Sequence, residues 1–213
     1  MKLDLHTHTY KSGDSTTTYD EYIKGFAASG LDIVAVTDHL TIDGARYLAG
    51  ELGHQVIIGQ EFKVREGELI GLYLQERIPP GLTAISAARL IHAQGGLVYV
   101  PHPSDDSRAS ISFDDLENLC SIGTVDIIEV ANSKYPPAGW IGPAALTCEK
   151  YGLVAGAGSD AHVESAIGST FVDTDALAVT SPSQLLDALA QATVDARYFD
   201  PPRAWTSRIV PSR

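Results

Sequence analysis

Short apolar runs rich in β-branched residues alternate along this chain with stretches whose apolar positions recur every three to four residues. The runs are KLDL (2–5), LDIVAVT (31–37), QVIIGQ (55–60), LIGLYL (69–74), LVYVP (97–101), VDIIEV (125–130) and LVAGAG (153–158), and each reads as a strand. Residues 18–29 place Tyr19, Tyr22, Ile23, Phe26 and Ala27 on one helical face before Gly30. Residues 83–94 follow with Thr83 as N-cap and Gly95-Gly96 as the stop. Weaker helical patterns cover 113–121, 142–151 and 181–192, the last opened by Ser181-Pro182. Nearly continuous apolar strands alternating with helices predict a parallel sheet covered by helices. Proline-containing patches at 79–81, 101–103, 136–143 and 201–202 predict loops. No composition break or linker divides the chain, so one α/β domain over 1–213 is expected.

Composition narrows the function. A net charge of −12 argues against an extended nucleic-acid surface, which needs a basic face. A small phosphorylated ligand stays open, because a bound metal inverts the local field. Cys120 and Cys148 fall in helical patterns without a CxxC pair and read as small core residues. No apolar run is long enough to span a membrane, and MKLDLHTH lacks a signal-peptide core. A cytoplasmic location without membrane contact is the expectation, and the sequence leaves the oligomeric state undefined.

The informative pattern lies at the strand ends. His6 and His8 are two apart on the first strand and so share a face. Chance alone would give roughly 0.2 such pairs, so the pair by itself decides nothing. After the other strands come Asp38-His39, Glu61, His102, Asn132, and Asp160 with His162. Six of seven strands thus end in a group able to bind a metal or a proton, and five of the seven histidines lie there. His54 and His92 do not, and read as structural or surface residues. In parallel α/β folds the carboxyl ends of the strands floor the active site. Imidazole and carboxylate ligands suit Zn²⁺, Mn²⁺ or Fe²⁺ in a multinuclear hydrolytic site, with Glu61 and Asp160 as bridging candidates. GAGSDA (156–161) matches a dinucleotide pattern only superficially, since no amphipathic helix follows. No P-loop and no GxSxG elbow is present.

Together DLHTHT (4–9), Asp14, TDH (37–39), Glu61, PHP (101–103) and SDAH (159–162) resemble the polymerase-and-histidinol-phosphatase (PHP) superfamily of metallophosphoesterases. GQEFKVREGELIGLYL and IHAQGGLVYVPHP further resemble its small stand-alone bacterial branch. The resemblance implies a distorted (β/α)7 barrel, TIM-like, with the metal site at the C-terminal ends of the strands. It implies that His6, His8, Glu61 and Asp160 hold one ion and Asp14, His39 and His162 a second. It further implies that Glu61 bridges toward a third position near His102, and that Glu61, Asp160 and His102 are the catalytic set. Relatives with three metals carry a histidine in the strand after the glutamate, whereas LIGLYL has none, so two ions are expected and the third stays open. Asp38 reads equally as an orienting carboxylate or a plain strand-end residue. Arg108 and Lys134 are the expected phosphate-binding residues.

The function these features favour is a divalent-metal-dependent phosphoesterase. It would hydrolyse a small phosphomonoester or nucleotide-type substrate through a metal-bound hydroxide. The alternatives are a C–N hydrolase of amidohydrolase type and a non-catalytic metal-binding PHP module. The lack of a strand-end lysine able to serve as a carbamate bridge weighs against the amide chemistry.

Overall fold

The computed structural model describes residues 1–134 and 141–203. Its strands are β1 (Lys2–Thr7), β2 (Ile33–Val36), β3 (Val56–Lys63), β4 (Glu68–Leu72), β5 (Leu97–Val100), β6 (Ile127–Asn132), β7 (Val154–Gly158), β8 (Thr170–Asp173) and β9 (Thr193–Ala196). The helices are α1 (Tyr19–Ser29), α2 (Asp43–Leu52), α3 (Ala84–Ala93), α4 (Phe113–Ser121), α5 (Ile141–Tyr151) and α6 (Pro182–Leu189). The sheet runs in the order β7-β6-β5-β4-β3-β2-β1-β8-β9. Strands β1–β7 curl into a nearly closed, distorted barrel. Closure comes from backbone bonds just past β7: Asp160 N donates to His6 O at 2.7 Å, and His8 N donates to Ala161 O at 3.0 Å. The antiparallel strands β8 and β9 extend the sheet from the other end of β1.

The expected parallel pairing holds for β1–β2, β2–β3, β5–β6 and β6–β7. It fails at β4, which runs antiparallel to both β3 and β5. Only residues 64–67 separate β3 from β4, far too few for a crossover, so the chain makes a hairpin. This reversal brings the beginning of β4, not its end, to the mouth of the barrel. That explains why LIGLYL carries no ligand at its carboxyl end.

Helices α1, α3, α4 and α5 fall where the apolar periodicity places them, and Thr18 closes a capping box with Glu21 on α1. The prolines of 136–140 lie outside the described residues, while residues 141–143 form the first turn of α5 rather than a loop. The pattern over 181–192 stops being helical at Leu189 and gives way to β9. Helix α2 and strands β8 and β9 carry little local signal. Two glycines and an uncapped start weaken α2, whose Ala45 and Leu48 are nonetheless buried, and β9 is exposed throughout.

Inward-facing Leu5, Ala35, Ile57, Ile70, Tyr99, Ile127 and Ala157 fill the barrel. The alternate residues Val34 and Val36, and Val98 and Val100, pack outward under the helices. The β1–β2 register shifts between Asp4 and Thr7. This bulge lets Leu5 and His6 both turn inward, while Thr7 turns out to the Tyr22 hydroxyl of α1. The glycines of VAGAG make room: a Cβ on Gly156 would press into the Tyr99 ring, and one on Gly158 into the Cβ and backbone of His6. Gly158→Ala is therefore expected to cost about 1–3 kcal/mol by overpacking the closure. Thermal unfolding followed by circular dichroism should show the melting temperature falling by roughly 2–10 °C.

Candidate metal centre

The strand ends bring every sequence-predicted ligand to one place. His6 and His8 direct Nε2 at each other across 3.1 Å, and each lies 3.2 Å from Glu61 Oε2. Asp160 Oδ1 stands 3.6 Å from His6 Nε2 and 3.3 Å from His8 Nε2. Beside this group, Asp14 Oδ2 is 3.4 Å from His39 Nε2 and 3.1 Å from His162 Nε2. On the far side of Glu61, its Oε1 lies 3.1 Å from His102 Nε2. Glu68 Oε2 lies 3.9 Å from the same nitrogen, and Glu68 also clusters with Glu61 and His39 closely enough to share a metal ion. Glu68 was missed in the sequence because it precedes its apolar run, and only the antiparallel sense of β4 presents it at the mouth.

These separations fit cations. Ligand atoms about 2.0–2.2 Å from a tetrahedral centre stand about 3.3–3.6 Å from one another. All the donors are imidazole or carboxylate, and Asp14 Oδ1 is buried without a hydrogen-bond partner. The donor set fits His/carboxylate-bound divalent ions of the first transition row.

The groups behind the ligands hold them in this attitude. His6 directs Nδ1 at Glu129 Oε1 over 3.1 Å. A carboxylate only accepts, so Nδ1 carries a proton and Nε2 is the atom turned to the cluster, able to ligate once its own proton has left. His8 Nδ1 meets Ser12 Oγ at 3.0 Å, and His102 Nδ1 meets Ser110 Oγ at 3.0 Å. Glu129 also accepts from the Tyr99 hydroxyl, the His102 backbone and Asn132 Nδ2. Its signal in the sequence is a single acid inside an otherwise apolar buried strand, which must find partners. Asp38 reaches none of the three groups. It accepts from Thr9 N at 2.6 Å and Thr9 Oγ1 at 2.7 Å, tying down the residue after His8. His102 (φ 30°) and Asp160 (φ 50°) sit in the left-handed region, and each gives its backbone N–H a short bond, to Glu129 and to His6 O.

Charge is dense here. Burial opposes charging His6, but Asp160, Glu61 and Glu129 outweigh it and hold its pKa well above the ordinary value. Burial likewise opposes charging His39, yet Glu61 and Asp14 raise it to about 9. His162 goes the other way, to about 3, through burial and the neighbouring His8 and Lys134. Burial alone would raise Asp160, but Lys134 and His6 hold it well below the carboxylate range. Arg108 Nη1 pairs with Asp160 Oδ2 at 2.5 Å while its Nε pairs with Asp105, and Lys134 Nζ lies 2.9 Å from Asp160 Oδ1. Both expected phosphate-binding cations therefore face the ligand cluster. Lys134 also corrects the expectation that no lysine stands at a strand end, since it follows β6 by two residues. His54 and His92 stay outside, His92 paired with Asp126 on the surface.

A model of the PHP domain matches residues 4–170, most of the chain and every one of these ligands. The chain belongs to the PHP family. The uncharacterized protein MJ0417 of Methanocaldococcus jannaschii is 30% identical over 187 residues, spanning 87% of this chain and 75% of that one. A two-domain protein of Bacteroides vulgatus, described as containing a predicted PHP-like metal-dependent phosphoesterase, shares the fold with a TM-score of 0.71 at 21% identity. The match covers 92% of this chain and 65% of that chain, so this PHP protein spans about two thirds of it. An amidohydrolase of Chromobacterium violaceum, solved with bound sulfate and no metal, superposes with a TM-score of 0.64 at 17% identity over 90% of this chain and 97% of its own. Among the described residues of this PHP chain, no helix is long and apolar enough to cross a membrane.

Replacing Glu129 by Gln keeps the shape of the side chain but removes the charge that fixes His6. Losing such a partner costs about 10–100-fold in metal affinity. Titration of the metal-free protein with Zn²⁺ or Mn²⁺ should show that loss for the position at His6 with the fold unchanged by circular dichroism.

Proposed function

We propose that this PHP protein is a divalent-metal-dependent phosphoesterase acting on small phosphorylated molecules. The observation that carries the proposal is the placement of Arg108 and Lys134 on the Asp160 carboxylate, at the edge of a cluster of nine histidine and carboxylate side chains able to hold metal ions. Arg108 offers a planar donor fork and Lys134 a compact ammonium, the pair suited to a tetrahedral oxyanion. The sulfate bound by the Chromobacterium violaceum fold neighbour is an oxyanion of that shape.

In this reading the first ion is held by His6, His8, Glu61 and Asp160, and the second by Asp14, His39 and His162. A third position falls to Glu61, Glu68 and His102, with Glu68 taking the place of the absent histidine. Bound ions would supply Lewis-acid polarisation of the phosphoryl oxygens and acidify a water at neutral pH. The protein's own contribution is orientation and charge. Arg108 and Lys134 hold the non-reacting oxygens of the phosphoryl group and offset the charge that develops there. Glu129 and Asp38 keep the imidazoles and the loop after His8 from swinging. Loading requires the protons on His6 and His39 to leave, so apparent metal affinity weakens as the pH falls. The reading takes the chain as a single PHP domain, without membrane contact and without an extended nucleic-acid surface.

Two measurements test it. His8→Ala or Asp160→Ala should abolish phosphate release from p-nitrophenyl phosphate and lower bound metal, whereas Arg108→Ala should raise KM about tenfold or more with metal content preserved. Ammonia release from amides without phosphate release would favour the C–N hydrolase instead. For the third position, elemental analysis of Glu68→Ala should show about one ion fewer per chain than the parent protein loaded under the same conditions.

A further inference from the structure

The loop between β5 and α4 carries Arg108 to the mouth, and its backbone is tied down along its length. Asp105 N donates to His102 O at 3.3 Å, and Arg108 N donates to Asp105 O at 3.2 Å. Ser110 N donates to Arg108 O at 2.9 Å, and Ser104 N donates to Ile111 O at 2.8 Å. Where α4 begins, Phe113 N donates to Ser104 Oγ at 2.8 Å. These bonds fix the position of the Arg108 backbone but not the direction of its long side chain.

Two carboxylates set that direction. Nη1 meets Asp160 Oδ2 at 2.5 Å in the ligand cluster, and Nε meets Asp105 Oδ2 at 2.7 Å on the loop itself. Asp105 is 2% exposed, against 20% for Arg108, so it lies behind the arginine and out of reach of a ligand. Arg108 and Ala109 line the cavity over the metal centre, and Asp105 does not. Nor does Asp105 belong to any metal-competent cluster among the described residues. Its Oδ1 is satisfied locally, accepting from Ser107 N at 3.0 Å and Ser107 Oγ at 2.6 Å. Its Oδ2 accepts no aligned hydrogen bond, so its hold on Arg108 is one of charge.

The two carboxylates part ways once ions are bound. In the reading above Asp160 is a metal ligand, and an ion there draws on the charge that holds Nη1. Asp105 lies outside the proposed cation positions and keeps its charge for Nε. We propose that Asp105 is a positioning residue for phosphate recognition, pinning Arg108 at Nε so that its terminal nitrogens stay turned to the substrate when metal takes over Asp160. The contact at Nε uses one N–H and leaves four on Nη1 and Nη2. Those four form the edge of the fork that can grip two oxygens of one phosphoryl group. An arginine already anchored at its other edge has less side-chain freedom to lose on binding than a loose one. The inference rests on the phosphoesterase reading and adds the residue that acts through Arg108.

The test uses the full chain loaded with Mn²⁺ and two readouts. One is KM and kcat for p-nitrophenyl phosphate, the other the Kd of inorganic phosphate by titration calorimetry. Asp105→Asn keeps the shape of the side chain and an acceptor for Ser107 but removes the charge beside Nε. It should raise KM and the phosphate Kd together by about fivefold, with kcat changing less and metal content unchanged. In an Arg108→Ala background the same substitution should move either value by no more than about twofold, because no guanidinium is left to orient. Arg108→Lys, a point charge with no second edge to pin, should lose about fivefold or more in phosphate affinity. An unchanged phosphate Kd in Asp105→Asn, or an effect just as large without Arg108, overturns the positioning role. Loss of metal or fold in Asp105→Asn makes it a structural residue of the loop and overturns the role too, as does parental affinity in Arg108→Lys. If the parent releases no phosphate from p-nitrophenyl phosphate, the phosphoesterase reading falls, while the phosphate titrations need no turnover and still decide the role of Asp105. A parent that binds no phosphate overturns both.

Discussion

The backbone bond from Asp160 to the His6 carbonyl holds the rest of this structure in place. It joins the segment after β7 to β1 and closes the barrel. In doing so it puts ligands separated by more than 150 residues within 3.6 Å of each other. Gly158 in β7 and a bulge in β1 allow the approach, and Asp160 takes a left-handed backbone to complete it. Folding thus spends local strain and small side chains where the chemistry is assembled, as sites on barrel mouths commonly do.

The mouth concentrates like charges that would not share a small volume without cations. Glu61, Asp160 and Glu129 are buried, and His6 and His39 beside them take up protons when no better cation is present. Lys134 and Arg108 lean on Asp160 for the same electrostatic reason. Metal, proton, lysine and arginine thus draw on one set of carboxylates.

Outside that layer the molecule is an ordinary α/β assembly. Apolar side chains fill the barrel and the space under the helices, and both cysteines are buried in the outer core. The positioning carboxylates Asp38 and Glu129 sit between these regions, each with its oxygens bonded to backbone or side-chain donors. They convert the rigidity of the strands into fixed directions for the imidazoles.

The sequence by itself determined most of the elements and eight of the nine metal-competent side chains that meet at the barrel mouth. Strand periodicity and ligand chemistry are local properties, so the residue after an apolar run can be read as facing the mouth whenever the strand runs parallel. Tertiary structure alone decided the sense of β4, because a four-residue link permits only a hairpin, and a hairpin presents the start of a strand where its end was expected. Glu68 became visible only then. Glu129 and the inward turn of both Leu5 and His6 were likewise decided by closure, since a bulge and a buried acid acquire their partners from strands far away in the chain. Helix α2 and strands β8 and β9 form against surfaces that the rest of the fold provides, which no local pattern could announce.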